Sequence, residues 1–284
     1  KERQMLQRFF LFLALYLLMA ANSLADTIHV GNITLNTTTP DGYMDQTAQL
    51  DENARKLFTP DKFTFLKRYV KQDSSAINEL YCHLLIIDSF TKQNISKKGS
   101  ASYIKKFYNV FEKEKNKLNM DIHKANETIK NFGVSMNQPV VLEVTKADDH
   151  ASCITLTKYS DINDQTNWYY SINITEFLYL CNTFVVMYSY NNFKDDDIHN
   201  HIQLAQKQSD LMRDMLIQNN SSKLQNTNQQ TQETKTTGSS FLQGFVTHTI
   251  KYIVIFGIIF AIGLAARACQ QRKSAKQRED DPKK

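Results

Sequence analysis

Two apolar runs, one near each end, leave a single stretch of the 284-residue chain in which a folded domain can form. Residues 9–21 are almost uninterrupted in hydrophobicity and follow Arg8, and Ser23 and Ala25 place small side chains where a signal peptidase inspects them. The pattern predicts a signal peptide over residues 1–25, with translation starting at Met5 and cleavage before Asp26. Residues 252–266 carry no charge, and joined to 245–250 they reach the length of about 20 residues that a bilayer-crossing helix needs. A transmembrane helix is therefore expected over 244–266, followed by a basic cytoplasmic tail over 267–284, oriented by the positive-inside rule. That reading makes the chain a single-pass type I membrane protein of the plasma membrane or secretory pathway, with the lipid bilayer as one partner.

About 200 residues remain between the two runs, which is one domain with length enough for a hydrophobic core. The net charge of +5 comes partly from the tail, and the middle shows no basic stripe interleaved with aromatics, which argues against nucleic acid as a partner.

Periodicity predicts a mainly α (α+β) domain: a helical-bundle ectodomain with a small antiparallel β-meander. Residues 26–58 read as a polar N-terminal arm, 59–218 as the helical ectodomain with a β insert over 138–173, and 219–243 as a flexible polar stalk. Thr59 and Pro60 suit a helix start ahead of Phe63, Leu66, Tyr69 and Val70, and a second helix is expected over 75–91. Ile104, Tyr108, Phe111, Lys115, Leu118, Ile122, Ala125, Ile129 and Phe132 alternate in fours and threes, predicting one long helix over 102–132 capped by Gly133. Residues 140–144, 153–157 and 168–172 are β-prone, with a polar hairpin loop over 146–150. Residues 176–190 are apolar on every side and read as a buried central helix. Last comes an amphipathic helix opening at Asp195, Asp196 and Asp197, with Ile198, Ile202, Ala205, Met212 and Leu216 on its apolar stripe and Ser209 within the seam.

Seven asparagines open an Asn-x-Ser/Thr triplet and are the glycosylation candidates: Asn32, Asn36, Asn94, Asn126, Asn173, Asn219 and Asn220. Cys82 and Cys181 sit in apolar segments and are the expected disulfide, leaving Cys153 as a free or interchain thiol. Cys269 lies where juxtamembrane cysteines are palmitoylated, and Gly257, Ala261 and Ala265 form a small-residue packing face in the expected span.

Catalysis has little footing. The chain holds no glycine-rich phosphate loop, GxSxG elbow or HExxH, and no cofactor or metal site is predicted. His199 and His201 are two residues apart, on different faces of a helix. The expected function is a non-catalytic type I membrane glycoprotein whose helical ectodomain recognises a protein partner, as receptor, adhesion molecule or accessory subunit. An oligomeric coiled-coil protein, such as an envelope or fusion component, is the alternative through self-association. A tethered hydrolase would need His150 and Cys153 to meet an acid.

Overall fold

The computed structural model describes residues 26–226, apart from 53–54, 56–58, 60–61, 73–79, 116–120, 131–132 and 165. The fold is built on strands, and this corrects the helical bundle expected from periodicity. Asp26–Val30 (β1) and Ile33–Thr37 (β2) form a hairpin. Tyr43–Asp45 (β3), Phe63–Lys71 (β4), Leu80–Ile87 (β5), Val134–Met136 (β6), Val140–Lys146 (β7), His150–Asp161 (β8), Trp168–Leu180 (β9) and Thr183–Phe193 (β10) form one sheet. Its order is β3-β4-β5-β10-β9-β8-β6, with β7 pairing on β8 beside β6, and every strand pairing is antiparallel. The helices are Asp88–Thr91 (α1), Lys97–Lys113 (α2), Ile122–Ile129 (α3) and Ile198–Asn226 (α4).

The central strands explain why they resemble helices in sequence. Strands β5 and β10 are buried on both faces throughout, so Leu80, Tyr81, Leu84, Leu85 and Ile87 form a continuous apolar run instead of an alternating one. Strand β4 carries a bulge between Phe65 and Lys67, which shifts its alternation by one and sets Phe63, Leu66 and Tyr69 at a helix-like spacing. The apolar run expected as one central helix over 176–190 is the tip of the β9–β10 hairpin. Cys181 (φ 51) and Asn182 (φ 61) both take left-handed backbone at its two-residue turn, the conformation that usually selects Asn-Gly. Cys-Asn hides that signal.

The sheet's two faces carry separate cores. On one face Phe107 and Phe111 of α2 pack onto Phe177 and Phe184, and α3 adds Ala125 and Ile129. The long heptad helix is corrected to these two: α2 ends before Glu114, and Lys115, the one break in the heptads, bridges to Val141 beside β7. Gly133 follows α3 at φ 77, in the left-handed backbone expected of a cap. The other face is covered by α4 and by the β1–β2 hairpin, with Leu35, Leu84, Met187, Met212 and Leu216 between them. The expected N-terminal arm is thus an ordered hairpin. Asn220 joins it to α4, its side chain accepting from the Asn36 backbone N–H at 2.9 Å and donating to the Asn36 carbonyl at 2.8 Å. Helix α4 also runs beyond residue 218 to Asn226, so the expected stalk begins inside it.

The remaining corrections follow from these elements. None of Cys82, Cys153 and Cys181 is in a disulfide. Cys82 lies opposite Ser189, six residues of strand from the turn at Cys181, about 20 Å at about 3.3 Å per residue, against the about 7 Å a disulfide can bridge. No helix among the described residues is long and apolar enough to cross a membrane, so the single-pass type I arrangement finds no support there, and the sheet overturns the helical receptor and its coiled-coil alternative. The signal peptide over 1–25, the span over 244–266 with Gly257, Ala261 and Ala265, and the tail with Cys269 lie outside the described residues.

Candidate functional site

Strand β8 alternates along most of its length between buried and half-buried residues. Its odd positions, Ala151, Cys153, Thr155, Thr157 and Tyr159, are covered from the α2 side, while Ser152, Leu156, Lys158 and Ser160 are only half-buried on the other. The reason lies in the reach of α4, which crosses β9, β10, β5 and β2 and meets β7 and β8 only at the edge of the cluster around Ile154 and Ala205. Beyond Ile154, a two-stranded strip of sheet therefore has a helix on one face and, among the described residues, none seated on the other.

A bulge between Val141 and Glu143 turns Leu142 toward the same open strip, and Ile198 and Ile202 of α4 border it. Its outer end is aromatic. Trp168 and Tyr170, two residues apart on β9 and therefore on one face, meet edge to face with centroids 5.2 Å apart. Lys158 comes from the neighbouring strand and holds its ammonium 4.6 Å from the Trp168 ring centroid and 5.8 Å from that of Tyr170. The loop before Trp168 is fixed by its own side chains: Asp161 Oδ1 accepts from the Asn163 N–H at 2.8 Å, and Asp164 Oδ1 from the Thr166 N–H at 3.0 Å. The Thr166 hydrogen bonds hold the Asp164 carboxyl below the usual carboxylate range. Lys194 donates to Asn167 Oδ1 at 2.6 Å from the far side. The anchor residues thus stand on rigid strand and a self-bonded turn.

The covered face has a polar interior of its own. Tyr81 stacks on Tyr190 at 4.5 Å, Tyr159 on Tyr169 at 5.0 Å, and the Arg68 guanidinium lies 5.7 Å from the Tyr81 ring. His83 sits among them at 2% exposure, and burial pushes its imidazole well below its ordinary pKa, with Arg68 adding to the effect. Burial likewise pushes the Tyr159, Tyr188 and Tyr190 phenols well up. These groups are closed off from solvent and serve packing.

The residues singled out from sequence do not gather. His150 and Cys153 point to opposite faces of β8, and burial raises the Cys153 thiol far above its ordinary pKa, so the pair cannot form a nucleophile and base. At 0% exposure Cys153 is also out of reach of a second chain. His150 instead meets Asp149 Oδ1 at 2.8 Å. His201 packs flat on Phe193 and meets Asp195 at 3.0 Å, whereas His199 pairs with Gln203. Asp197 caps α4, its Oδ1 accepting from the Asn200 N–H at 3.2 Å, as the acidic helix start predicts. Among the described residues no group of three His, Cys, Asp or Glu could hold a metal ion.

The asparagines divide sharply. Asn32 and Asn94 are exposed. Asn173 (3% exposed) and Asn220 (0%) are inside, and Asn126 exchanges two hydrogen bonds with the Met136 backbone. Asn36 and Asn219 are half-buried and tied to each other and to Thr38. Sequence reasoning missed the open strip, and its one available signal was Trp168-x-Tyr170 beside alternating Leu156 and Lys158, legible only once β8 and β9 are known to be neighbours.

No family model matches the chain, and no curated protein matches it. Among solved structures it is similar to a point mutant of the protein Mog1, at 11% identity and a TM-score of 0.27, over 70% of this chain and 94% of that one. It is similar also to the Saccharomyces cerevisiae Ran-binding protein Mog1p, at 12% identity and a TM-score of 0.27, over 71% of this chain and 94% of that one. Similarity at that level carries no argument about what this chain does.

Proposed function

We propose that this protein is a non-catalytic protein-recognition domain, and that the open strip of β7, β8 and β9 is the surface it presents. The observation that carries the reading is the one-sided cover of β8, which leaves Leu142, Leu156, Trp168 and Tyr170 half-buried in one continuous patch. Large rigid aromatics flanked by aliphatic side chains are what protein interfaces use as anchors. Lys158 supports a more specific partner chemistry. Its ammonium rests on two rings and forms no ion pair among the described residues, so a partner segment with apolar side chains and one carboxylate complements the strip.

The test is site-specific photo-crosslinking in cells expressing the full chain, with the reactive residue at Ser160 on the strip or at Asp148 in the β7–β8 loop. A discrete adduct from position 160, lost in Trp168→Ala and absent from position 148, is the expected result. An adduct that survives Trp168→Ala, or none from position 160, overturns the reading.

A further inference from the structure

The outer surface of α2, on the opposite side of the sheet from the open strip, is a row of lysines. Ser100, Ile104, Phe107 and Phe111 face the sheet, so at 100° per residue Lys98, Ser102, Lys105, Lys106, Asn109 and Lys113 face outward. Lys98 to Lys113 spans about 22 Å at about 1.5 Å per residue. None of Lys97, Lys98, Lys105, Lys106 and Lys113 forms an ion pair among the described residues; Glu112 meets Lys115 instead. Lys97 and Lys98 stand in the helix's first turn, where no acid is present and the helix dipole is positive, so the charge is unfavourable to the free protein there.

We infer that this lysine row is a second docking surface, for an acidic segment of a partner protein. Two features of the row select that occupant. The two tyrosines of the helix are half-buried beneath Lys106 and Lys146 (5.6 and 5.2 Å), which leaves no bare ring on which a nucleic-acid base could stack. None of the exposed large hydrophobic side chains, Met44, Ile162, Leu204 and Leu211, lies on α2, so the helix lacks the apolar edge that sinks an amphipathic helix into a lipid surface. An acidic segment lying along α2 would neutralise the row and relieve the unfavourable first turn.

The experiment measures binding of a fluorescent 20-residue poly-glutamate peptide to the full chain by anisotropy, against a single-stranded oligonucleotide of equal charge and vesicles of anionic phospholipid. Binding of the peptide is expected to be tighter than that of either competitor. It should weaken at least 10-fold in Lys98→Glu/Lys105→Glu/Lys113→Glu, whose folding is checked by circular dichroism, and stay unchanged in Lys207→Glu on α4. A milder Lys98→Gln/Lys105→Gln/Lys113→Gln variant covers failure of the first to fold, with at least a threefold loss expected. Equal binding by wild type and the folded triple variant overturns the inference, as does preference for the oligonucleotide or the vesicles. Trp168→Ala leaves this binding unchanged, which separates it from the open strip.

Discussion

Helices α2 and α4 cover opposite faces of one sheet and do so with different chemistry. Under α2 itself the contact is aromatic: Phe177 stacks on Phe184 at 4.1 Å and on Phe107 at 5.2 Å. Under α4 polar groups are buried with the methionines and leucines. Glu176, 1% exposed, accepts from Ser209 Oγ at 2.7 Å and from Arg213 Nη1 at 3.1 Å, and Gln208 is buried beside them in sequence. The aromatic contact supplies apolar burial without direction, while the polar one fixes where along the sheet α4 can sit. Buried polar contacts restrict register because each must find its own partner.

The largest expected effect tests the aromatic side. Phe107→Ala removes a ring at 0% exposure between α2 and Phe177, and chemical denaturation should show a loss of about 3–5 kcal/mol. A loss under about 1 kcal/mol would mean that α2 does not hold the sheet.

Next comes the ion pair under α4. Arg213→Met leaves the buried Glu176 carboxylate without its cation and should cost about 2 kcal/mol at neutral pH, discounted from the about 3–5 typical of buried pairs because Arg213 is partly exposed. Burial already raises the Glu176 pKa above its ordinary 4.5, with Arg213 and Ser209 opposing. Between 4.5 and the raised value the folded state binds more protons than the unfolded one, so this group's contribution to stability falls as pH rises through that window. Glu176→Gln should abolish that component, and denaturation curves from pH 4 to pH 8 (about one curve per unit) would read it. A slope unchanged in Glu176→Gln would place its origin elsewhere.

A smaller change has the opposite sign. Both polar atoms of the Gln208 side chain are buried without a hydrogen-bond partner among the described residues, so Gln208→Met should stabilise the protein by about 1 kcal/mol in a thermal melt. A destabilised variant would show that the amide sets the seat of α4. The smallest effect belongs to the open strip: Leu156→Ser should change stability by under about 1 kcal/mol, because the side chain is only half-buried. A larger loss would mean that the strip is part of the core.

Legibility in the sequence followed the same division. The α4 stripe of Ala205, Ser209, Met212 and Leu216 and its acidic start are readable because one face of the helix meets the sheet and the other meets water. The β7–β8 hairpin is readable for the corresponding reason, a period of two with one covered face. The α2 and α3 pair was half legible: the heptads identified the buried positions Ile104, Phe111, Ala125 and Ile129 but joined two helices into one. Strands β4, β5 and β10 were misread because a bulge or burial on both faces erases the alternation that marks a strand.

Local pattern was enough to say which residues are inside, where α4 and the β7–β8 hairpin lie, and that His199 and His201 stand on different faces of α4. That the apolar runs pair as strands came from the folded chain alone, since hydrophobicity drives burial without choosing the backbone that achieves it. The same holds for the placing of Cys82 about 20 Å along the sheet from the turn at Cys181, and of Lys158 over Trp168. Both depend on which strands are neighbours, and that is settled by long-range pairing which no local pattern in the chain records.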